Sequence, residues 1–367
     1  MGAVSSAESG QVGSPPSRPP SEPEPPGSTQ LPVTFYLDEG GDLAALRRLD
    51  PDRDLDSFRV GERSWVVQTY LRLRQAGHPV ELSAEAPGRG LVVFHAKQKR
   101  ALARSARTAR AGRGGRDLVF VGIRADNSSP LLADFEVLQN GRFAEPRRRF
   151  VVPFWPQPGL LPRDCGRGSR LERVGYVGLL ENLHPDFRGE AWPRALAQSG
   201  MEWVPRAVRF RQVSDPSLVD WEDYRSLDAL LAVRPRERDL TFSKPASKLI
   251  NAWRAGVPAL MGPEYAFREI RSCPYDYFEV TGAEQAFSAL RRLQGDPGLY
   301  RRMVCHGRER AQEFSFEAIT ARWAELLFST LPARIAEGIL PWSHRLPIPV
   351  RLPLRRLLRW ITLTRAK

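Results

Sequence analysis

Lys244 and Lys248 stand four residues apart in a chain that has only five lysines among its 55 basic residues. Around them the sequence reads Lys-Pro-Ala-Ser-Lys-Leu-Ile-Asn-Ala-Trp-Arg-Ala-Gly-Val-Pro over 244–258. Ser243 and Ser247 suit a helix N-cap and Pro245 a first turn, while Leu249, Ala252 and Trp253 share one face. Gly256 is placed to stop the helix, and 257–261 then reads as a short buried strand. A helix start offers free backbone N–H groups and the positive end of the dipole, so with two flanking ammonium groups it suits a phosphate. A capped surface helix with solvated lysines gives the same local pattern and is the competing reading.

Other residues that could do chemistry sit where apolar runs end. His95 directly follows 91–94 and titrates near neutral pH, so it can take a proton from a hydroxyl or orient one. Asp126, after 118–123, is a second choice of base. A hydrogen-bonded structural histidine and a loop-capping aspartate are the alternatives. Gly178 follows 174–177, where the lack of a side chain admits a phosphate or sugar close to the backbone, or simply makes a turn. Arg234 ends the run 227–233, and Gly262, Glu264 and Glu269 lie just beyond 257–261, as cleft-lining residues or as ordinary solvated ones.

The elements that must hold these residues alternate between strand and helix. Strands are expected at 33–37, 80–82, 91–94 and 118–123, with a helix over 64–75. A second set comes after them, with strands at 173–178, near Trp203, at 227–233 and at 277–280. Helices are expected at 191–198, 266–270, 284–293, 299–314 and 316–327. Such alternation makes parallel sheets with a crevice at the strand ends. Between the sets, 150–163 holds four prolines and Trp155 and reads as a crossing segment more than a helix or strand. Residues 1–30 are Pro, Ser, Gly and Glu with hardly any apolar content, a composition expected to be disordered. The division is thus a tail at 1–30, a first domain at 31–150, a linker at 151–169, a second domain at 170–330 and a basic tail at 331–367.

At 367 residues and 42% hydrophobic content the chain can support two cores. Cys165, Cys273 and Cys305 show neither metal-ligand spacing nor a disulfide framework, which indicates a reducing, cytoplasmic setting and no metal. No stretch approaches the ~20 apolar residues that cross a bilayer. A net charge of +13 suggests an anionic partner. The run 97–116 has eight basic residues and no acid, read either as a mobile basic flap at the cleft or as a solvated basic helix. In the tail 346–367, Pro347, Pro349 and Pro353 exclude a helix before Leu354. Beyond it Leu354, Leu357, Leu358 and Ile361 face away from Arg355, Arg356 and Arg359. That pattern suits either the surface of an anionic membrane, as a peripheral protein at its inner face, or docking on the protein itself. Nucleic acid is not expected as a partner, because the basic segments lack stacking aromatics and no recognition motif is visible.

The motif Lys-Pro-x-x-Lys-Leu-Ile-x-Ala-x-x-Ala-Gly-Val-Pro, followed by a small-residue loop with Gly262, Glu264 and Glu269, resembles the donor-binding half of group-1 (family 4-like) GT-B glycosyltransferases, over about 170–327. The resemblance implies an α/β fold of two Rossmann-like domains facing across a cleft, with the last helix crossing back to the first. It implies transfer of a sugar from a nucleoside-diphosphate donor to a glycan, lipid-linked or small-molecule acceptor, with no cofactor and no metal. Lys248 would stabilise the leaving diphosphate, supported by Lys244 and Arg234. Asn251 would meet the ribose, and Glu264 or Glu269 the sugar or diphosphate. His95 or Asp126 would serve the acceptor. The sequence departs where the superfamily carries a glutamate pair, having Ser243 and Asn251, so retaining stereochemistry is not carried over. A binding protein that has lost catalysis and a sugar-nucleotide epimerase of the same fold are the alternatives, with a basic nucleic-acid-binding protein, using 97–116 and the tail, as the rival of another class.

Overall fold

The structure, a computed structural model, describes residues 31–58, 61–109, 118–212, 220–235 and 244–365. The expected tail 1–30, the cap candidate Ser243 and the stretch 110–116 of the basic run lie outside them. The first sheet comprises β1 (Val33–Tyr36), β2 (Val80–Ser83), β3 (Gly90–His95), β4 (Leu118–Ile123), β5 (Phe135–Leu138) and β6 (Arg149–Val151), in the order β2-β1-β3-β4-β5-β6. The second comprises β7 (Arg173–Leu179), β8 (Glu202–Val208), β9 (Ala229–Ala232), β10 (Ala259–Met261) and β11 (Phe278–Glu279), ordered β11-β10-β9-β7-β8. Every pairing is parallel. The helices are α1 (Leu43–Arg48), α2 (Gln68–Gln75), α3 (Lys99–Ala109), α4 (Ala191–Ala197), α5 (Ser247–Ala255), α6 (Tyr265–Glu269), α7 (Ala283–Gly295), α8 (Pro297–Gln312), α9 (Phe316–Glu325), α10 (Leu331–Ala336) and α11 (Ile348–Arg365).

Parallel strands covered on both faces need apolar residues at successive positions, and β3 (GLVVFH) and β4 (LVFVGI) are buried throughout. Alternate side chains enter different cores. Phe35, Leu91 and Val93 pack with Leu71 of α2, while Tyr36, Val92 and Phe94 pack with Leu102 and Ala106 of α3. In the second sheet Val174 and Tyr176 meet Trp192 of α4, and Leu230 and Ala232 meet Leu249 and Trp253 of α5. The chain then crosses back, placing Ile319 and Trp323 of α9 and Leu331 of α10 in the first core. No helix among the described residues is long and apolar enough to cross a membrane.

Four details differ from the sequence expectation. Residues 99–109 are no flap: α3 buries Leu102, Ala103 and Ala106, and its arginines line the outer face. The crossing segment starts as strand, since β6 takes in Phe150 and Val151. The last helix begins at Ile348 and carries Pro353 within it. An interior proline costs a helix about 3 kcal/mol, but here the first turn is pinned by Ile348 and Arg351, both fully buried. Finally, Ala246 occupies the position before α5 and no side chain accepts from the first turn, so Ser247 is the first residue of the helix rather than its cap.

Candidate functional site

Three strands of the second sheet, β7, β9 and β10, end side by side, and the residues at their C-terminal ends make the site. Gly178 lies near the end of β7 at φ +140, a backbone region that side chains disfavour. Arg234 and Gly262 come just after β9 and β10, where the Gly262 N–H donates to Ala232 O (2.9 Å). Against this edge stands the uncapped start of α5, whose C-terminal end is closed by Gly256 in the left-handed conformation. Helix starts of this kind leave backbone N–H groups for an anion.

Lys248 reaches from that first turn under Gly178. Its ammonium donates to Val177 O and lies 5.1 Å from the Tyr176 ring centroid. Burial pushes its pKa down to about 7, with repulsion from Arg234 and Lys244 adding to the shift and Glu264 opposing it. A Cβ on Gly178 would collide with the Lys248 ammonium, so the glycine makes room for the lysine itself. Arg234 pairs with the buried carboxylate of Glu264 just ahead of α6, while its Nε is buried without a hydrogen-bond partner among the described residues. One cavity of about 200 Å³ is lined by Gly178, Arg234, Ser247, Lys248 and Asn251, with Phe58, Phe154 and Trp155 also on its wall. A second, of about 310 Å³, is lined by His184, Val233, Pro263 and Thr281 and shares Arg234. Each is at or near the lower end of the ~300–1,000 Å³ usual for a cofactor-sized ligand, and Arg234 is common to both.

Three contacts tie the lobes together beside these cavities. Lys244 pairs with Asp126. Asn140 Nδ2 donates to Lys244 O (2.8 Å), and the Glu269 carboxylate accepts from the Gly141 N–H (2.8 Å). Asn251 is likewise spoken for, because its Oδ1 accepts from the Gln157 N–H (3.0 Å) of the crossing segment and its side chain bonds Tyr224. For Asp126, burial works to raise the carboxyl, but the charge and hydrogen bond of Lys244 outweigh it and leave the pKa below the usual range.

His95 ends β3 and is buried, its ring stacked on Trp65, which in turn packs on Phe154 (3.9 Å between centroids). Burial pushes its pKa down to about 4, against the opposing charge of Glu62. Nδ1 accepts from the Lys97 N–H (3.4 Å), so the neutral ring carries its proton on Nε2 and is a donor there. The structure therefore gathers Gly178, Arg234, Lys248, Asn251, Gly262 and Glu264 on one lobe's strand edge. It sets His95 and Asp126 at the matching edge of the other, and puts Glu269 on the lobe junction.

Sequence reading missed the aromatic lining. Phe154 and Trp155 stand together in the proline-rich run, but Phe58, Trp221 and Tyr224 are scattered through the chain and carry no local signal. Glu62, which neighbours both His95 and Lys97 at 3.9 Å, is equally hidden. One further cluster has metal-ligand chemistry: Cys273, Asp276 and His306, with Cys273 Sγ and Asp276 Oδ1 at 3.3 and 3.0 Å from His306 Nε2. Both Asp276 oxygens already accept hydrogen bonds, Oδ1 from Arg310 and Oδ2 from the Ser272 and Cys273 N–H groups, and the cluster lies apart from the cleft lining.

No family model and no curated protein matches the sequence. Solved structures do resemble the fold. HepE of Anabaena, in complex with UDP and glucose, is 14% identical with a TM-score of 0.50, covering 83% of this chain and 100% of its own. Sucrose-phosphate synthase from Thermosynechococcus elongatus is 12% identical with a TM-score of 0.51, over the same shares of 83% and 100%.

Proposed function

We propose that this chain, which has the GT-B glycosyltransferase fold, transfers a sugar from a nucleoside-diphosphate donor to an acceptor hydroxyl. The observation that carries the reading is the Lys248 ammonium, half-buried at the start of α5 and lining one cavity with Gly178 and Arg234. Transfer needs the sugar–phosphate bond to break with its electron pair on the diphosphate, so cationic groups fixed at that oxygen lower the barrier. Lys248 and Arg234 fill that role in the proposal, with the α5 N–H groups, and no metal ion is invoked. The acceptor oxygen bonds the sugar's anomeric carbon and its proton passes to Asp126, the carboxylate at the facing strand edge. His95, a donor at Nε2, orients a hydroxyl rather than taking its proton. The aromatic walls of the cleft exclude water, which would otherwise intercept the sugar. UDP is the first nucleotide to try, since the HepE structure holds UDP. The acceptor is a glycan, a lipid-linked sugar or a small molecule, and free Cys165, Cys273 and Cys305 fit a reducing compartment.

A donor-binding protein without turnover is the second reading, favoured by the commitment of Asn251 to Gln157 and Tyr224. A thermal-shift panel of UDP, GDP, ADP, CMP and dTDP, each with common sugars, separates the cases on wild type and Lys248→Ala. A ligand at ~100 Kd raises stability by about 2.7 kcal/mol. The reading expects a shift for one base that vanishes in the variant, together with release of that nucleotide when acceptors are supplied. A base-specific shift without turnover would favour the second reading. No shift for any nucleotide from a folded sample would overturn both.

A further inference from the structure

A cavity larger than the two of the cleft lies elsewhere, on the first lobe. It is a groove of about 830 Å³ between α3 and α11, floored by the loop at 128–132. Lys99, Arg100, Arg104 and Arg107 line it from α3, and Arg356 and Arg359 from α11. None of the six is in an ion pair among the described residues, and no acidic side chain lines the groove. Its remaining surface is largely apolar, with Leu132, Leu352 and Leu357 inside and Trp360 at its wall.

The arginines of α11 divide, with Arg356 and Arg359 on the groove and two others turned away from it. Arg351 and Arg355 turn inward: Arg355 donates to the carbonyls of Leu131 (2.9 Å), Leu132 (3.1 Å) and Ala133 (2.9 Å), and both arginines pair with Asp134. With those charges consumed, the helix leaves Leu357, Leu358 and Trp360 at the surface, exposed by 51%, 41% and 62%. The cationic half of an amphipathic surface is supplied by α3 instead. Its arginines recur at i, i+4 and i+7 on the side that faces the leucines of α11.

We propose that this groove and its rim are a binding surface for anionic phospholipid. The arginines would hold the headgroup phosphates, Leu357 and Trp360 would enter the acyl boundary, and the first lobe would sit on the membrane. Charge complementarity selects the occupant. Six cations without an acid exclude a neutral bilayer as the preferred surface, and exposed leucine and tryptophan beside them fit acyl chains better than a polar polyanion. The proposal does not depend on the donor site.

Co-sedimentation of the full chain tests it, using phosphatidylcholine vesicles with and without a quarter of phosphatidylglycerol. The expected result is recovery with the anionic vesicles only. Partition should drop by at least about tenfold in Arg100→Glu/Arg104→Glu and again in Leu357→Ser/Trp360→Ser, with unchanged melting. Arg301→Glu/Arg302→Glu, on the exposed face of α8, should bind as wild type. Equal binding to neutral vesicles, retention in either groove variant, or an equal loss in the α8 variant would overturn the proposal. So would binding to single-stranded RNA without binding to vesicles.

Discussion

Lys244, on the loop that enters α5, pairs with Asp126 at the end of β4, so a group suited to phosphate from one lobe is neutralised by a carboxylate from the other. An arriving diphosphate must compete with Asp126 for that ammonium. Exposed ion pairs contribute about 0.2–1 kcal/mol, so Asp126→Asn should tighten UDP-glucose binding by up to about fivefold. If Asp126 is also the base, kcat falls by about 10²–10⁴ in the same variant. Calorimetry and steady-state kinetics read the two separately. An unchanged kcat would remove Asp126 from proton transfer while leaving its pairing with Lys244 intact.

Lys248 gives the donor site a pH dependence. Its pKa of about 7 in the empty cleft should rise once a diphosphate lies beside it. Binding then takes up a proton, and Kd for UDP-glucose should climb toward about tenfold per unit from about pH 7 to about pH 9. Lys248→Met should bind weakly and show a flat profile. The stability sign is opposite to that of a paired lysine: the unfolded chain holds the proton up to ~10.4, so native stability increases as pH rises from about 7. The Met variant lacks that penalty and should melt higher at neutral pH, on the order of 1 kcal/mol or ~2–4 °C.

Much of this was readable in advance because its signals are local. The run 244–256 encodes its own helix, with Gly256 forced to the C-cap, and the apolar stretches 91–94 and 118–123 can be little else than buried parallel strands. The unreadable features depend on distant partners. Pro353 argues against a helix at 348 until Asp134, some 217 residues earlier, is seen to hold Arg351. Asn251 looks like a ligand contact until Gln157 of the crossing segment is found on its Oδ1. Whether the leucines of α11 face the protein or the outside stays open in the sequence until Arg355 is seen to have claimed the carbonyls of 131–133.

Gly178 is the residue on which the Lys248 position rests. At φ +140 any side chain is strained, and a Cβ would strike the ammonium. Backbone strain of this kind costs about 1–3 kcal/mol, so Gly178→Ala should melt lower by that amount. Its loss of donor binding should exceed its loss of stability, because the lysine is displaced. Measuring Tm and UDP-glucose affinity together distinguishes this from general unfolding. A variant that melts low yet binds normally would show that Lys248 tolerates the shift.

Asp134 anchors α11. It is fully enclosed, accepts from the Phe120 N–H (3.0 Å), and meets His344 (3.1 Å), Arg351 (3.4 Å) and Arg355 (2.7 Å). Burial works to raise its carboxyl, but the His344 hydrogen bond and the two guanidinium charges outweigh it and hold the pKa far below the usual carboxylate range. Removing one partner of a buried pair costs about 3–5 kcal/mol, because Arg351 has no path to water. Asp134→Ala should therefore lower Tm by ~10 °C and open α11 to trypsin at Arg355. The linkage sets the acid behaviour. A depressed carboxyl contributes stability above its unfolded pKa of ~3.9, and that contribution fades as pH falls. The melting curves of wild type and variant should thus be furthest apart at neutral pH and approach each other below about pH 4. A constant gap down to about pH 2 would mean that lost packing, and not the charge of Asp134, holds the helix in place.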